Sequence, residues 1–240
     1  MEWSDHGIIL AINKYDEQSA IVSCLTKTRG LCRGFVKNTR GKNLAKSLFI
    51  GNIAHLSWGA RLEQHLGAWR ILSHETISPF FYHDHKKLTA VASICALVTS
   101  VLLEKEGSED MFLEFCKFLY SLKSGDNWLK NLIFLELLLL KDIGYGLDVS
   151  CCVVNGSAEN LIYISPKSGK AVSAEGGLAY KEKLFALPQF FIDPAQNDVS
   201  LEDLLYALNI TKYFFEKFIT AQNNLTIPKI RVMLHDVLKE

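Results

Sequence analysis

Residues 7–37 read GIILAINKYDEQSAIVSCLTKTRGLCRGFVK. Two runs rich in β-branched residues, Gly7–Tyr15 and Ser19–Thr28, are separated only by Asp16-Glu17-Gln18. A third run, Leu31–Lys37, follows Arg29-Gly30, a turn pair. Short apolar runs bounded by polar or glycine-bearing gaps predict strands. After the polar stretch Asn38–Lys46, two further candidates lie near Asn52–Trp58 and Leu66–Ser73.

Five short strands within the first 75 residues predict a small barrel or sandwich, and a five-stranded OB-type barrel is the natural candidate. The texture changes after Ser78-Pro79. Leu88, Val91, Ala92, Cys95, Val98 and Leu102 recur at helical spacing, and Met111, Phe112, Phe115, Phe118, Leu119 and Leu122 form a second stripe. A third helix is expected from about Asn127 to Asp142. Its segment LIFLELLLL, residues 132–140, is apolar on every side except Glu136, as a central helix is. Gly144-Tyr145-Gly146 supplies its cap. Residues 161–173, LIYISPKSGKAVS, predict a hairpin turning at Pro166–Gly169. Ser200 with Asp203 has the spacing of a capping box, and Pro228 suits the start of a last helix. The expected fold is α+β: an N-terminal OB-fold β-barrel over residues 1–78, then a mostly α-helical domain over 79–240 with a small β-hairpin insertion.

A chain of 240 residues with 49% hydrophobic and 22% charged residues can bury a sizeable core without disulfides or metal, and disorder is excluded. Its formal net charge of zero hides an asymmetry. Residues 1–87 carry 12 Lys/Arg against 7 Asp/Glu, and the remainder carries 14 against 19. Between Gln18 and Leu62 there is no acidic residue, while Lys27, Arg29, Arg33, Lys37, Arg40, Lys42, Lys46 and Arg61 all fall in that window. A solvated basic loop is the ordinary meaning of such a run. The complete lack of acid favours an anionic partner. Alternation along the third strand places Arg33, Phe35 and Lys37 with Leu31 on one face and Cys32, Gly34 and Val36 on the other. Interleaved cations and rings serve single-stranded nucleic acid, cations for phosphates and rings for bases. Phe35 fits equally a core ring with the charges reaching out at the rim.

The N-terminus, Met1-Glu2-Trp3-Ser4-Asp5-His6, has neither the basic region nor the apolar region of a signal peptide. The longest uncharged run, Leu88–Leu103, is 16 residues, short of the roughly 20 that span a bilayer. No membrane association is expected. The six cysteines, at 24, 32, 95, 116, 151 and 152, lack regular spacing, which fits a reducing cytoplasm.

No enzyme signature survives inspection. Gly34–Lys42, GFVKNTRGK, has six residues between its outer glycines and Asn43 after the lysine, so it is not a phosphate-binding loop. Gly144-Tyr145-Gly146 lacks a third glycine and follows a helix. His83-Asp84-His85 sits just before a helix, where a solvated or capping role is expected. Glu136 is expected to pair with a neighbouring helix or reach the surface. Cys151-Cys152 precedes the hairpin as the first half of a zinc ribbon does. Yet Asn155 stands where a second thiolate is needed and no cysteine follows, so no zinc and no other cofactor is expected.

Several stretches in the same order resemble the RecO family of bacterial recombination mediators. These are Trp3–Leu10, Glu17–Val22 and Leu25–Gly30 at the N-terminal end, then Leu135–Leu138 through Gly144–Asp148, Tyr163–Gly169 and Leu187-Pro188. The resemblance covers most of the chain. It departs at the cysteines, since only Cys152 matches the C-x2-C pairs of some members, and a metal role is not carried over. The resemblance implies an OB-fold followed by a helical domain, and a cytoplasmic, nucleoid-associated DNA-repair protein that is not an enzyme. It implies binding of single- and double-stranded DNA, annealing of complementary strands, contact with the acidic tail of single-strand-binding protein, and action with RecR to load RecA. The DNA surface is then expected at Lys27, Arg29, Arg33, Lys37, Arg40, Lys42, Lys46 and Arg61, with Phe35 and Trp58 as stacking rings. The tail needs an apolar pocket and a cation, and is expected near Phe134 with Lys130 or Arg231. Two rivals remain from other classes: a small nuclease or transferase using an OB domain, and a scaffold whose basic loop meets an acidic protein.

Overall fold

A computed structural model describes residues 1–39, 41, 47–62, 65–196, 198–221 and 225–240. The chain divides into two compact units, Met1–Leu135 with Ile227–Glu240, and Glu136–Thr226. The first holds the barrel. Strands β1 (Glu2–Lys14), β2 (Ser19–Thr26), β3 (Gly30–Lys37), β4 (Ile53–Gly59) and β5 (Gly67–Glu75) close in the order β1-β2-β3-β5-β4. All neighbours are antiparallel except β3 and β5, which meet in parallel at Gly34↔Gly67 and Phe35↔Ala68. This is the five-stranded OB-type barrel expected from the five apolar runs. Strand β1 starts earlier than its apolar run, at Glu2, because it pairs with β4 from Glu2↔Gly59 onward.

Inside the barrel lie Ile9, Val22, Cys24, Cys32, Val36, Leu56, Trp58 and Trp69. Closure depends on two positions without side chains. A Cβ on Gly34 would stand 2.6 Å from Trp69, and one on Gly67 would overlap the Trp58 indole. Two indoles therefore cross the backbone where β3 meets β5, and each is tied by its ring N–H: Trp58 donates to the Arg33 carbonyl at 3.0 Å and Trp69 to that of Val22 at 3.1 Å.

The helices of this unit follow their expected stripes. Helix α1 (His85–Val101) is capped by Asp84, whose carboxylate accepts from the Lys87 N–H at 3.1 Å, which gives the His83-Asp84-His85 run its capping role. Helix α2 (Glu109–Ser124) is capped by Ser108 and buries Met111, Phe115, Phe118 and Leu119. Each such ring or aliphatic side chain contributes roughly 1.5–3 kcal/mol on burial. Helix α3 (Trp128–Asp142) begins in this unit and ends in the second. It closes as expected at Gly144: Gly144 N–H donates to the Lys141 carbonyl and Tyr145 N–H to that of Leu140, the paired bonds of a Schellman cap.

In the second unit the expected hairpin is part of a three-stranded sheet. Strands β6 (Leu161–Ile164) and β7 (Ala171–Ser173) turn through residues 166–169, and β8 (Phe185–Ala186) pairs with the free edge of β6. A two-residue strand carries no periodicity, which is why the sequence shows only two of the three. A single helical turn, α4 (Ala174–Gly177), follows β7. Helix α5 (Leu201–Ala221) opens on the expected capping pair, with Asp203 N–H donating to Ser200 Oγ at 3.1 Å and that hydroxyl donating to Asp203 at 2.7 Å. Glu136 is fully buried and accepts the Thr211 hydroxyl of α5 at 2.5 Å, the neighbouring-helix partner its apolar surroundings require. In the first unit again, α6 (Lys229–Lys239) follows Pro228 and packs on α1. No described helix is long and apolar enough to cross a membrane.

Candidate nucleic-acid interface

Strand β3 presents its outward face as the alternation requires. Arg33 and Lys37 are exposed and Phe35 is half-buried, while Cys32, Gly34 and Val36 face inward. Leu31 lies on the outward side yet is fully buried. The cause is the α1–α2 linker, which runs along β3 as an extra edge: Leu31 N–H donates to the Glu106 carbonyl and Lys105 N–H to that of Leu31, both at 2.7 Å. Gly30 makes this approach possible. It takes φ +66°, and any Cβ there would run into the Glu106 carbonyl.

That linker changes the electrostatics. The basic window is acid-free in sequence but not in space. Arg33 Nε lies 3.4 Å from Glu104 Oε1, and Lys27 Nζ 3.3 Å from Glu109 Oε1, both pairs open to solvent. Asp5 is buried within the same surface, and its carboxylate accepts the Thr28 N–H and hydroxyl, each at 2.8 Å. Arg29 and Lys37 are exposed, as is Arg61 at the far end of β4. Arg40, Lys42 and Lys46 lie outside the described residues.

The two expected rings have different surroundings. Phe35 meets Tyr15 edge to face at 5.5 Å and keeps partial exposure, so it is neither a core ring nor a bare platform. Trp58 is 7% exposed and stacks on Trp3 at 5.5 Å. Trp3, half-buried at the start of β1, holds Trp69 at its edge and the Arg29 guanidinium over its ring at 4.8 Å. Trp3, which the charge window did not contain, is thus a second partly exposed ring beside Phe35. The signal for it was its place at the head of β1, two residues before Asp5.

The expected tail residues lie inward. Lys130 is 6% exposed and Arg231 fully buried, and Phe134 is half-buried with the Lys130 ammonium 6.0 Å from its ring centre. Both cations are thus largely withdrawn from solvent. A different groove, of about 620 Å³ in the second unit, has apolar walls from Val153, Val154 and Tyr213, with Lys167 and Lys183 exposed at its rim.

Around Cys152, polar groups satisfy one another. Its sulfur accepts from the Ser173 hydroxyl at 3.3 Å and the Val154 N–H at 3.4 Å, and Asn155 Nδ2 donates to Ser173 Oγ at 3.4 Å. Burial works against the thiolate, but hydrogen bonds from Ser173, Asn155 and Val154 outweigh it and bring the thiol down to about 7. Burial pushes Cys24 and Cys95 strongly upward instead. Among the described residues no three His, Cys, Asp or Glu are grouped to hold a metal.

Known proteins are similar to this chain along nearly its whole length. The family description "Recombination protein O N terminal" matches residues 1–80, and "Recombination protein O C terminal" matches residues 82–221. The DNA repair protein RecO of Wolbachia pipientis subsp. Culex pipiens is 37% identical over 239 residues, covering 96% of this chain and 97% of its own. The protein of that name from Ehrlichia chaffeensis is 37% identical over 235 residues, with 95% and 94% covered. That from Rhodospirillum rubrum is 34% identical over 236 residues, with 96% and 94% covered.

Proposed function

The chain belongs to the RecO family of DNA-repair proteins, recombination mediators that are not enzymes, and from this we propose that it binds and anneals single-stranded DNA through its barrel. The observation that carries the reading is the outward face of β3, where Arg33, Phe35 and Lys37 alternate on an OB-type barrel. Arg29 and Arg61 are exposed as well, and Arg40, Lys42 and Lys46 belong to the same acid-free stretch of sequence. Phosphate neutralisation supplies the affinity and sequence plays little part. Duplex DNA binds by the same cations.

RecR and, through it, RecA loading are assigned as partner functions on family grounds, within a bacterial cytoplasm. For the acidic, apolar-ended tail of single-strand-binding protein, the groove of Val153, Val154 and Tyr213 with Lys167 and Lys183 has the fitting chemistry: an apolar slot for the end and cations for the carboxylates.

The test is an anisotropy titration with labelled oligonucleotides at several salt concentrations, followed by a strand-annealing assay. Affinity that falls steeply with salt, with annealing of complementary strands, supports the reading. Salt-independent or absent binding rejects it.

A further inference from the structure

Beside β3 lies a cavity of about 510 Å³, within the roughly 300–1,000 Å³ range of small-ligand sites. Its walls combine Trp3 and Leu66 with Arg29, Arg33, Glu104 and Lys105. Four stretches remote in sequence build it: the head of β1, the β2–β3 turn with β3, the end of β4 with the residues just before β5, and the α1–α2 linker. The arrangement is layered. Trp58 stacks on Trp3 with 21° between planes, and Arg29 lies over Trp3 at 4.8 Å. A guanidinium is planar and stacks on rings, and nucleobases stack on such planes as well as on aromatic faces. Leu66, half-exposed just before β5, adds an apolar side chain beside the charged ones of the lining.

We propose that this cavity is a nucleobase subsite: one base of a bound single strand enters it and stacks on the Trp3–Arg29 layer, while its phosphate reaches Arg33. The proposal rests on the DNA-binding reading above and adds to it a base-dependent component. Glu104 lies beside the phosphate position, its carboxylate 3.4 Å from Arg33 Nε in a solvent-exposed pair, so it competes with the phosphate for that arginine. Glu2, also on the rim, adds repulsion towards a second phosphate.

The experiment compares oligothymidylate with an abasic sugar–phosphate chain of equal length and charge. Stacking of one base predicts wild-type affinity for oligothymidylate about fivefold to a hundredfold above the abasic chain. Arg29→Lys retains a charge but offers no plane, and should bring that ratio to within about twofold. A strand carrying 2-aminopurine should show fluorescence quenching on binding that is reduced in Arg29→Lys and in Trp3→Phe, with urea unfolding of each variant checking that the barrel stays folded. Equal wild-type affinity for the two polymers, or an undiminished ratio in Arg29→Lys, overturns the subsite and leaves the DNA-binding reading standing. Failure to bind either polymer overturns both.

Discussion

Arg33 and Glu104, 71 positions apart in sequence, form an ion pair of 3.4 Å because the α1–α2 linker pairs with β3 at Leu31. An arginine in an acid-free stretch of sequence thus arrives at the surface with an acid already beside it. A second pair, Lys27 with Glu109, repeats the relationship at the start of α2. Both are solvent-exposed, where an ion pair contributes about 0–1 kcal/mol.

Replacing both acids, Glu104→Gln and Glu109→Gln, should therefore strengthen single-strand binding roughly two- to tenfold at low salt. The gain should shrink as salt rises, since screening weakens the competing pairs first. Anisotropy titrations of wild type and double variant check this, and equal affinities at low salt would show that the acids do not compete with phosphate.

Arg33→Ala combined with Lys37→Ala removes two cations from the outward face of β3. Affinity should fall similarly for all sequences, and the log–log salt slope should flatten by about 1.4, at roughly 0.7 per lost single-strand contact. An unchanged slope would move the DNA surface away from β3.

Trp58→Ala tests the barrel. The ring is 7% exposed and fills the space left by Gly67, so its removal should cost about 3–5 kcal/mol of stability. Urea unfolding measures it. A loss below 1 kcal/mol would mean that the barrel closes without the indole.

Thr211→Val leaves the buried Glu136 carboxylate without the hydroxyl that donates to it at 2.5 Å. The expected loss is about 1–3 kcal/mol, again by urea unfolding, with DNA binding intact.

Cys152 should titrate near pH 7, seen as thiolate absorbance in wild type that is missing from Cys152→Ser. Ser173→Ala should move the midpoint upward. Because the folded thiol sits below its ordinary value, the thiolate adds stability that is full above the unfolded value near 9 and is lost as pH falls through about 7. A midpoint at the ordinary value would refute the hydrogen-bond account.

The sequence by itself determined the elements. Strand runs, helical stripes, the Asp84 and Ser200 caps and the Gly144 stop are local signals, written within a few residues and readable there. They sufficed for the barrel, the helices and the family. Strand β8 escaped because two residues have no period, and the early start of β1 escaped because its pairing with β4 is long-range. Only the tertiary structure decided which charges stand together. The acid-free window gained Glu104, Glu109 and Asp5, Trp3 rather than Trp58 came to the surface, and Lys130 and Arg231 went inside. Charge pairing and burial depend on distances across the fold. Coulomb attraction and desolvation act through space at a few ångströms, and no spacing along the chain encodes which distant segment will pack there.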